Sequence, residues 1–306
     1  MAIATERADA RVCVAVCTCD RHEQLRGTLQ SLAEQRIGAR FRVFVIDNGR
    51  AAARSVVEAF AGELDIAHER VREPGLSAVR NRALHLARES GAEFLASIDD
   101  DERAGKDWLA AHLATVERTG ADIQIGPIEP IFLERPAGWI ATGGFFAGDC
   151  ETPTTANLFL RLACLPESEG EWFQPDYAMT GGEDHEFLSR LVREGASIGA
   201  ASSACVYDIV PPERATLRFI LRRGLRDGVY YGNRARKDSA SLAGAVAAGL
   251  RELLGKVAYA ANHLFWSPLA GWRARRAGVD LATAVGILVG LFGVKPRFYG
   301  HGDVVD

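Results

Sequence analysis

The stretch EFLASIDDD, residues 93–101, joins a short apolar run to three consecutive aspartates. Its first six residues, EFLASI (93–98), have the length and composition of a buried β-strand. Three carboxylates at one strand end raise one another's pKa values, and a bound divalent cation removes that repulsion. Carboxylate oxygens are hard ligands that suit Mg²⁺ or Mn²⁺. A solvated acidic turn is the alternative for such a run, but its position after a strand favours a metal site.

Strand patterns on both sides of this stretch alternate with helical patterns. RVCVAVCT (11–18) and FRVFVIDNG (41–49) precede it, and DIQIG (122–126) and SACVY (203–207) follow it. This alternation predicts an α/β fold with a mostly parallel sheet covered by helices on both faces. Ligands of such sheets bind at the carboxyl ends of the strands. The aspartates of IDNG and of DDD both lie at such ends, which is the first indication of function.

Two further acidic positions are candidates for chemistry. Asp47 in IDNG either caps the Asn-Gly turn or contacts a nucleotide at the sheet edge. Glu183 and Asp184 open a predicted helix after two glycines. Acidic residues favour helix N-termini for electrostatic reasons alone, and a carboxylate there can also serve as a general base. The sequence has no P-loop, no GxGxxG and no metal-ligand spacing among its seven histidines.

The net charge of −4 conceals an asymmetry along the chain. From Arg214 onward there are fifteen Lys/Arg and six Asp/Glu, which predicts contact with nucleic acid or with an anionic lipid surface. The segments 242–266 and 280–294 are strongly apolar. The second has 14 consecutive uncharged residues, Leu281–Val294, fewer than the roughly 20 that span a bilayer. Apolar faces with basic flanks are typical of helices in a membrane interface, so lipid is favoured and nucleic acid is not expected.

These patterns divide the chain into three parts. We predict an N-terminal extension (1–10), an α/β domain (11–212) and a basic, apolar helical tail (213–306) that associates with a membrane. The first residues carry charges where a signal peptide needs an apolar core, so export is not expected. The predicted location is therefore the cytoplasmic face of the inner membrane, as a peripheral or monotopic protein.

Several motifs taken together resemble those of the family 2 glycosyltransferases with the GT-A fold, a Rossmann-like fold. The succinoglycan-type exopolysaccharide glucosyltransferases of that family are the most similar, and the resemblance covers about residues 11–230. It rests on these segments in order: VCVAVCTCDR, FVIDNG, EPGLSAVRNRAL, SIDDDE, TANLFLR, GGEDHEFLSRL and VPPERATLRFILRRGLRDG.

The resemblance implies roles for residues of the donor site. It places Asp47 at the nucleotide base, Arg80 in support of the carboxylates, Asp99 near the ribose and Asp101 on the metal, with Asp99 assisting. Many relatives have a metal-binding histidine after the last strand where this chain has Asp208, which makes Asp208 a candidate third ligand. The residues expected to bind the nucleotide sugar are Thr18, Asp20, Asp47, Arg80, Asp99 and Asp100.

The resemblance also implies roles on the acceptor side. Asp184 is expected to be the catalytic base, with Glu183 beside it in the same motif. The residues expected to contact the acceptor or its phosphates are Gly181, Gly182, Arg222 and Arg226.

The implied activity is metal-dependent, inverting transfer of a sugar from a UDP-sugar, with glucose as the expected sugar. The implied acceptor is a polyprenyl-diphosphate-linked oligosaccharide of exopolysaccharide or other surface-glycan synthesis, and Mg²⁺ or Mn²⁺ is the expected cofactor. A metal-dependent sugar nucleotidyltransferase is one alternative, but VCTCDRHEQ lacks the glycine- and lysine-rich phosphate loop of that class. A non-catalytic membrane-bound scaffold is another, although it would need neither the DxD pair nor Asp184.

Overall fold

The structure is a computed structural model that describes residues 10–51, 53–150, 154–167, 172–177, 181–294 and 296. Apart from Ala10, the predicted N-terminal extension lies outside the described residues. The chain forms two compact units. The first comprises 1–129, 147–175 and 183–208, and the second comprises 130–146, 176–182 and 209–306.

Ten strands and nine α-helices are described. The strands are β1 (Val12–Thr18), β2 (Phe41–Asp47), β3 (Ile66–Arg70), β4 (Phe94–Asp99), β5 (Glu102–Ala104), β6 (Ile123–Ile125), β7 (Ile128–Phe132), β8 (Asn157–Arg161), β9 (Ile198–Ala200) and β10 (Val206–Val210). The helices are α1 (His22–Ala33), α2 (Arg54–Glu58), α3 (Leu76–Glu89), α4 (Trp108–Thr119), α5 (Gly138–Gly143), α6 (Glu183–Arg193), α7 (Leu217–Lys237), α8 (Leu242–Phe265) and α9 (Trp272–Leu291).

The main sheet has seven strands in the order β3-β2-β1-β4-β8-β6-β9. Strands β3, β2, β1 and β4 are parallel to one another. Strand β8 runs antiparallel between β4 and β6. Leucines of α1 and α4 pack on one face of the sheet, and apolar residues of α3 and α6 pack on the other. The predicted α/β fold with helices on both faces is confirmed.

The register of the parallel strands brings the predicted site residues to one edge. Thr18 at the end of β1 is paired with Asp47 at the end of β2. On its other side, Cys17 of β1 is paired with Asp99 at the end of β4. The carboxylates of IDNG and DDD therefore lie at the carboxyl ends of β2 and β4, on either side of β1.

Strands β3 and β8 were not predicted from the sequence. IAHER of β3 has no alternating apolar pattern, and all but its last residue are half-buried at the edge of the sheet. β8 comes from the proline- and glycine-rich stretch 127–182, in which no element was assigned. Its first four residues are fully buried because β8 lies between two other strands and both faces of the sheet are covered.

The second unit contains a helix pair in close backbone contact. A Cβ on Gly228 of α7 would lie 2.0 Å from the carbonyl oxygen of Thr283, and one on Gly286 of α9 would lie 2.2 Å from that of Leu225. Three of the seven buried residues of α7 are glycines (Gly224, Gly228 and Gly232), whereas Leu217 at its start is 39% exposed. Small residues allow this approach, as they do between helices in membranes.

Large apolar side chains point away from this helix pair. Leu254 of α8 is 63% exposed and Phe292, directly after α9, is 83% exposed. Within the described ranges, no helix is both long enough and apolar enough to cross a membrane. The other exposed members of this apolar face are Leu242, Val246, Leu250, Val257, Leu281, Val285 and Leu288.

Candidate active site

The central aspartate of the DDD motif is anchored inside the first unit. Asp100 is only 4% exposed. Thr18 Oγ1 donates to its Oδ2 at 2.7 Å, and Arg21 Nη1 donates to its Oδ1 at 3.2 Å. Arg21 Nη1 also donates to Asp101 Oδ2 at 3.3 Å. Thr18 and Arg21 therefore fix the loop after β4, and Arg21, which the sequence analysis did not single out, connects two of its carboxylates.

Negative charge is crowded around this strand end. Burial raises the pKa of Asp99 to about 6; Arg80 opposes this rise, and the charges of Asp101 and Asp184 add to it. Burial likewise raises the pKa of Asp100 to about 7, against the effect of Arg21. The helix-opening carboxylate of Asp184 therefore lies within electrostatic range of the strand-end carboxylate of Asp99.

A second pair of carboxylates lies behind the first. Glu102 Oε2 accepts a hydrogen bond from the Asp99 backbone N–H at 3.0 Å. Asp208 is paired with Glu102 in the antiparallel ladder of β10 and β5. Burial, followed by the charges of Asp99 and Asp101, raises the pKa of Glu102 well above its usual value. Asp208 was predicted at this site from the sequence, whereas Glu102, which directly follows the three aspartates, was not.

The chemistry of this donor set fits a divalent cation. The carboxylates of Asp99, Asp101 and Asp208 are hard ligands, and the charge of Asp101 adds to the raised pKa of Asp99, an effect that a bound cation would reverse. Across the residues that the structure describes, however, no three potential ligands are grouped tightly enough to form a preassembled metal centre. The metal ligands therefore stay a prediction.

An ion pair connects α3 with the start of α6. Arg80 Nη1 donates to Glu183 Oε1, and the side chains of both residues are largely buried. Glu183 Oε2 and Thr155 Oγ1 are buried without a hydrogen-bond partner among the described residues. Arg80 also opposes the rise in the pKa of Asp99, so its guanidinium interacts with carboxylates on α6 and on β4.

The neighbouring Asp184 is in a different environment. It is half-buried, and its Oδ2 accepts from Thr154 Oγ1 at 3.4 Å, while its Oδ1 accepts from the backbone N–H of His185 at 2.8 Å. Glu183 is thus held by a buried cation in an ion pair, whereas Asp184 accepts from a hydroxyl and a backbone N–H and is only half-buried. Of the two acids, Asp184 is the better placed to receive a proton.

Asp47 caps the turn that follows β2, which is one of the two roles predicted for it. Its side chain is fully buried. Its Oδ1 accepts from the Gly49 N–H at 2.8 Å, and its Oδ2 accepts from the Ala53 N–H at 2.8 Å and lies 3.1 Å from His68 Nε2. The carboxylate therefore holds the loop after β2, and direct contact with a nucleotide base stays a prediction. His68 was missed because β3, which carries it, was missed.

Asp20 shapes the adjoining loop after β1. It has a left-handed backbone with φ of 57°, and its Oδ1 accepts from the Ala51 N–H at 3.0 Å. Desolvation raises its pKa, but backbone hydrogen bonds from Ala51 and Arg50 outweigh this effect, so the pKa is lowered. A Cβ on Gly49 would lie 2.6 Å from Asp20 Oδ1, so position 49 requires glycine. A contact of Asp20 with a nucleotide sugar stays a prediction.

The predicted acceptor residues belong to the second unit. Gly182 has a φ of 88°, and a Cβ there would lie 2.1 Å from the Tyr230 ring, so only glycine fits. Gly181 also has a positive φ, of 79°. Arg222 is exposed, and Arg226 pairs with the neighbouring Asp227 at 3.0 Å. Their contact with an acceptor stays a prediction.

The first unit thus combines a mostly parallel sheet, an acidic strand end and a helix that opens with an acid. This fold is the GT-A fold of glycosyltransferases, as solved structures indicate. A mannosyltransferase, PcManGT from Pyrobaculum calidifontis in complex with GDP-Man and Mn²⁺, is similar over 91% of this chain and 87% of its own, with a TM-score of 0.58 and 18% identity. Residues 1–349 of S. aureus TarS in complex with UDP-GlcNAc are similar over 95% and 93%, with a TM-score of 0.51 and 16% identity.

Sequence comparison identifies the family. The profile of Glycosyl transferase family 2 matches residues 13–162. The succinoglycan biosynthesis protein ExoM of Rhizobium meliloti (strain 1021) is 32% identical over 312 residues, which cover 96% of this chain and 97% of ExoM. Chondroitin synthase of Escherichia coli is 26% identical over 75% of this chain and 40% of its own length. The chain belongs to glycosyl transferase family 2, and the predicted resemblance is confirmed.

Proposed function

We propose that the protein transfers glucose from UDP-glucose, with inversion, to a lipid-linked oligosaccharide in exopolysaccharide or other surface-glycan synthesis. The observation that carries this proposal is that Asp184, at the start of α6, lies within electrostatic range of Asp99, which ends β4. The similarity to a succinoglycan biosynthesis protein along nearly the whole chain supports an exopolysaccharide product. The solved relative that holds a UDP-sugar supports the choice of donor.

The proposed reaction is a single displacement. An acceptor hydroxyl oxygen forms a bond to the anomeric carbon while the bond from that carbon to the diphosphate oxygen breaks. The electron pair of the broken bond leaves with UDP, and the hydroxyl proton passes to a carboxylate oxygen of Asp184. Attack from the side opposite the leaving group inverts the anomeric configuration.

The residues around Asp184 position the reacting groups. Arg80 holds Glu183 at the start of α6, which fixes the direction in which the next residue, Asp184, is presented. Thr18 and Arg21 hold the loop that carries Asp101. Asp101, assisted by Asp99 and Asp208, would hold Mg²⁺ or Mn²⁺, and this cation would stabilise the charge on the leaving diphosphate.

A donor screen tests the proposed function. The full chain is incubated with a set of UDP- and GDP-sugars and a lipid extract that contains polyprenyl-diphosphate glycans, with and without Mn²⁺, and UDP or GDP release and sugar incorporation are measured. Release of UDP together with incorporation of glucose supports the proposal. In a parallel reaction with a nucleoside triphosphate and a sugar phosphate, release of diphosphate would instead identify a nucleotidyltransferase. No turnover in either reaction would favour a scaffold.

The proposed metal dependence gives a first prediction. EDTA should abolish transfer and Mn²⁺ or Mg²⁺ should restore it, because the leaving diphosphate needs compensating positive charge. Asp101→Asn should weaken Mn²⁺ and UDP binding together, as measured by calorimetry. Asp107→Asn is a suitable control because Asp107 is exposed and its side chain makes no capping hydrogen bond at the start of α4. Full activity in EDTA, or an unaltered Mn²⁺ affinity in Asp101→Asn, would contradict the metal site.

We also propose that the helical unit binds the cytoplasmic face of the inner membrane. The close contacts of α7 with α9 use glycines, while many large apolar side chains of α8 and α9 are exposed. Helices in water usually bury their large apolar side chains. Burial of small residues with exposure of large apolar ones is typical of helices surrounded by lipid. The basic residues that flank these helices would add about 1 kcal/mol each near an anionic surface.

Membrane binding gives a second prediction. Leu254→Glu should reduce cosedimentation with phosphatidylglycerol vesicles about tenfold or more, because burying a leucine side chain contributes about 1.5–3 kcal/mol. Leu133→Glu is a matched control, since Leu133 is 62% exposed against 63% for Leu254 but lies outside the apolar face of α8 and α9. Equal losses in the two variants would show that the added charge alone is responsible. Failure of the unsubstituted chain to cosediment would contradict membrane binding altogether.

A further inference from the structure

The loop that follows β2, residues 48–51, is held by side chains from other elements, and we call it the β2 loop. Arg70, at the end of β3, donates from Nη2 to the carbonyl oxygens of Gly49 and Arg50, both at 2.9 Å. A hydrogen bond from an ionised donor is roughly twice as strong as one between neutral groups. Arg70 therefore fixes two consecutive peptide groups of the β2 loop.

The turn that leads into α1 holds the next residue of the β2 loop. Asp20 Oδ1 accepts from the N–H of Ala51 at 3.0 Å, and His22 Nε2 lies 3.2 Å from the carbonyl oxygen of Ala51. Ala51 is exposed, so water could satisfy both of its backbone groups without these bonds. Surface loops are usually more mobile than the elements they connect, whereas this loop is tied to two of its neighbours.

His68 supports the base of the same loop. It lies two residues before Arg70 and therefore on the same side of β3. Its Nε2 is 3.1 Å from Oδ2 of Asp47, and only 7% of the His68 side chain is exposed. Asp47 is fully buried and also accepts from the N–H of Gly49, inside the loop. One edge strand thus holds the β2 loop both at its buried base and at its exposed turn.

The β2 loop lies beside the acidic strand end. The N–H of Asn48 donates to the carbonyl oxygen of Thr18 at 3.1 Å, and Thr18 Oγ1 donates to Asp100 of the DDD motif. Because β1 lies between β2 and β4, the ends of these two strands are about 10 Å apart, which is two strand spacings. A nucleotide whose diphosphate lies at the end of β4 therefore has its nucleoside within reach of the β2 loop.

We propose that Arg70 and His68 are positioning residues for the nucleotide donor, which fix the β2 loop in the conformation that contacts the nucleoside. Ordering a mobile loop on binding costs conformational entropy, and a loop that is already ordered avoids this cost. Neither side chain has to touch the nucleotide to have this effect. The inference rests on the proposed function, which supplies UDP-glucose as the donor.

The test compares UDP with uridine as probes of the full chain, because uridine carries no charge. Arg70→Gln removes one cation and changes the group that is bonded to the β2 loop. Arg82→Gln is the matched control, since Arg82 Nε donates to Glu69 Oε1 at 3.0 Å, on the opposite side of β3. Dissociation constants are measured by calorimetry, for uridine in competition with UDP, and folding is followed by circular dichroism.

We expect Arg70→Gln to bind UDP and uridine about tenfold more weakly, which is the loss when binding has to order about one additional residue. Its kcat at saturating UDP-glucose should stay within about threefold of the unsubstituted chain. Arg82→Gln should bind both probes within about twofold. Weaker binding of UDP with unaltered binding of uridine would show that Arg70 acts through its charge and would overturn the proposal. Equal weakening in the two variants would overturn it as well.

His68 gives a separate test at the base of the loop. His68→Leu removes the bond to Asp47 and should weaken the binding of both probes at least about fivefold. His68→Gln keeps an N–H donor and should restore most of that affinity. Equal affinities of the two variants would contradict the role of His68. If His68→Leu does not fold, His22→Leu takes its place, because it removes a bond to the exposed turn of the same loop.

This inference and the proposed function fail in different ways. Binding of UDP that depends on Arg70, without any sugar transfer, would contradict the proposed function alone. Transfer from UDP-glucose with an unaltered KM in Arg70→Gln would contradict this inference alone. Failure of the unsubstituted chain to bind UDP would contradict both.

Discussion

Asp184→Asn is expected to lower kcat for sugar transfer by about 10²- to 10⁴-fold, the usual contribution of a general base. The substitution keeps the size of the side chain and its ability to accept hydrogen bonds from Thr154 and from the His185 backbone, but it removes the basicity. The Kd for UDP should change less than threefold, because the donor is held by other residues. Stopped assays with the labelled donor and calorimetry with UDP separate the two quantities.

A control on the same helix turn distinguishes basicity from helix electrostatics. Glu186 also lies in the first turn of α6 and pairs with Arg190 at 3.0 Å. Glu186→Gln removes one negative charge from the helix N-terminus, as Asp184→Asn does, and should leave kcat within about threefold. Similar losses in both variants, or near-normal turnover in Asp184→Asn, would return Asp184 to the role of an acid that merely stabilises a helix N-terminus.

The two acids of the ED motif could not be told apart by sequence pattern alone. Both precede an amphipathic helix, and both are acids that a helix N-terminus favours. The structure separates them because Arg80, about a hundred positions earlier in the chain, pairs with the buried Glu183, while Asp184 is half-buried and accepts from Thr154. The family resemblance gave Asp184 the role of base, and the pairing with Arg80 supplies a physical reason for it.

The sheet was predicted wherever strands are apolar runs with distinct ends. β1, β2 and β4 meet this condition, and their carboxyl ends meet as parallel pairing requires. β3 was missed because an edge strand with half-buried faces need not alternate in hydrophobicity. β8 was missed because only its neighbours in space, and not its neighbours in sequence, make it a strand.

The side-chain partners in the site were the least predictable part. Asp47 was identified by its position, yet its oxygens are occupied by two backbone N–H groups and by His68. Arg21 lies only three residues after β1, and nothing in its immediate sequence shows that it connects Asp100 with Asp101. Such contacts depend on loop conformations that short-range patterns do not encode.

The helical unit shows a further limit of hydrophobic periodicity. Hydrophobic periodicity detects large apolar residues on the buried face of a helix. The buried residues of α7, however, include Gly224, Gly228 and Gly232. A glycine contributes almost no hydrophobicity, so the closest helix contact in this unit left no signal in the apolar pattern. The i, i+4 spacing of these glycines is the sequence feature that could have revealed it.

Gly228→Ala is expected to destabilise the protein by at least about 1–3 kcal/mol, the usual cost of overpacking, with a thermal midpoint several degrees lower. The added Cβ would lie 2.0 Å from the Thr283 carbonyl oxygen and 2.9 Å from Gly286 Cα, and backbone atoms cannot move aside as a side chain can. Gly255→Ala on α8 is the matched control, since a Cβ there meets nothing within 4 Å.

The two substitutions should change the stability of the protein in opposite directions. At both positions alanine stabilises the helix relative to glycine by about 0.5–1 kcal/mol. Gly255→Ala gains this preference without a clash and should raise the midpoint, whereas Gly228→Ala gains the same amount and loses more to the separation of α7 from α9. Thermal unfolding of the full chain, followed by circular dichroism, measures both. Stabilisation by Gly228→Ala would mean that the two helices tolerate a wider spacing, and the glycines would then not be what sets the distance between them.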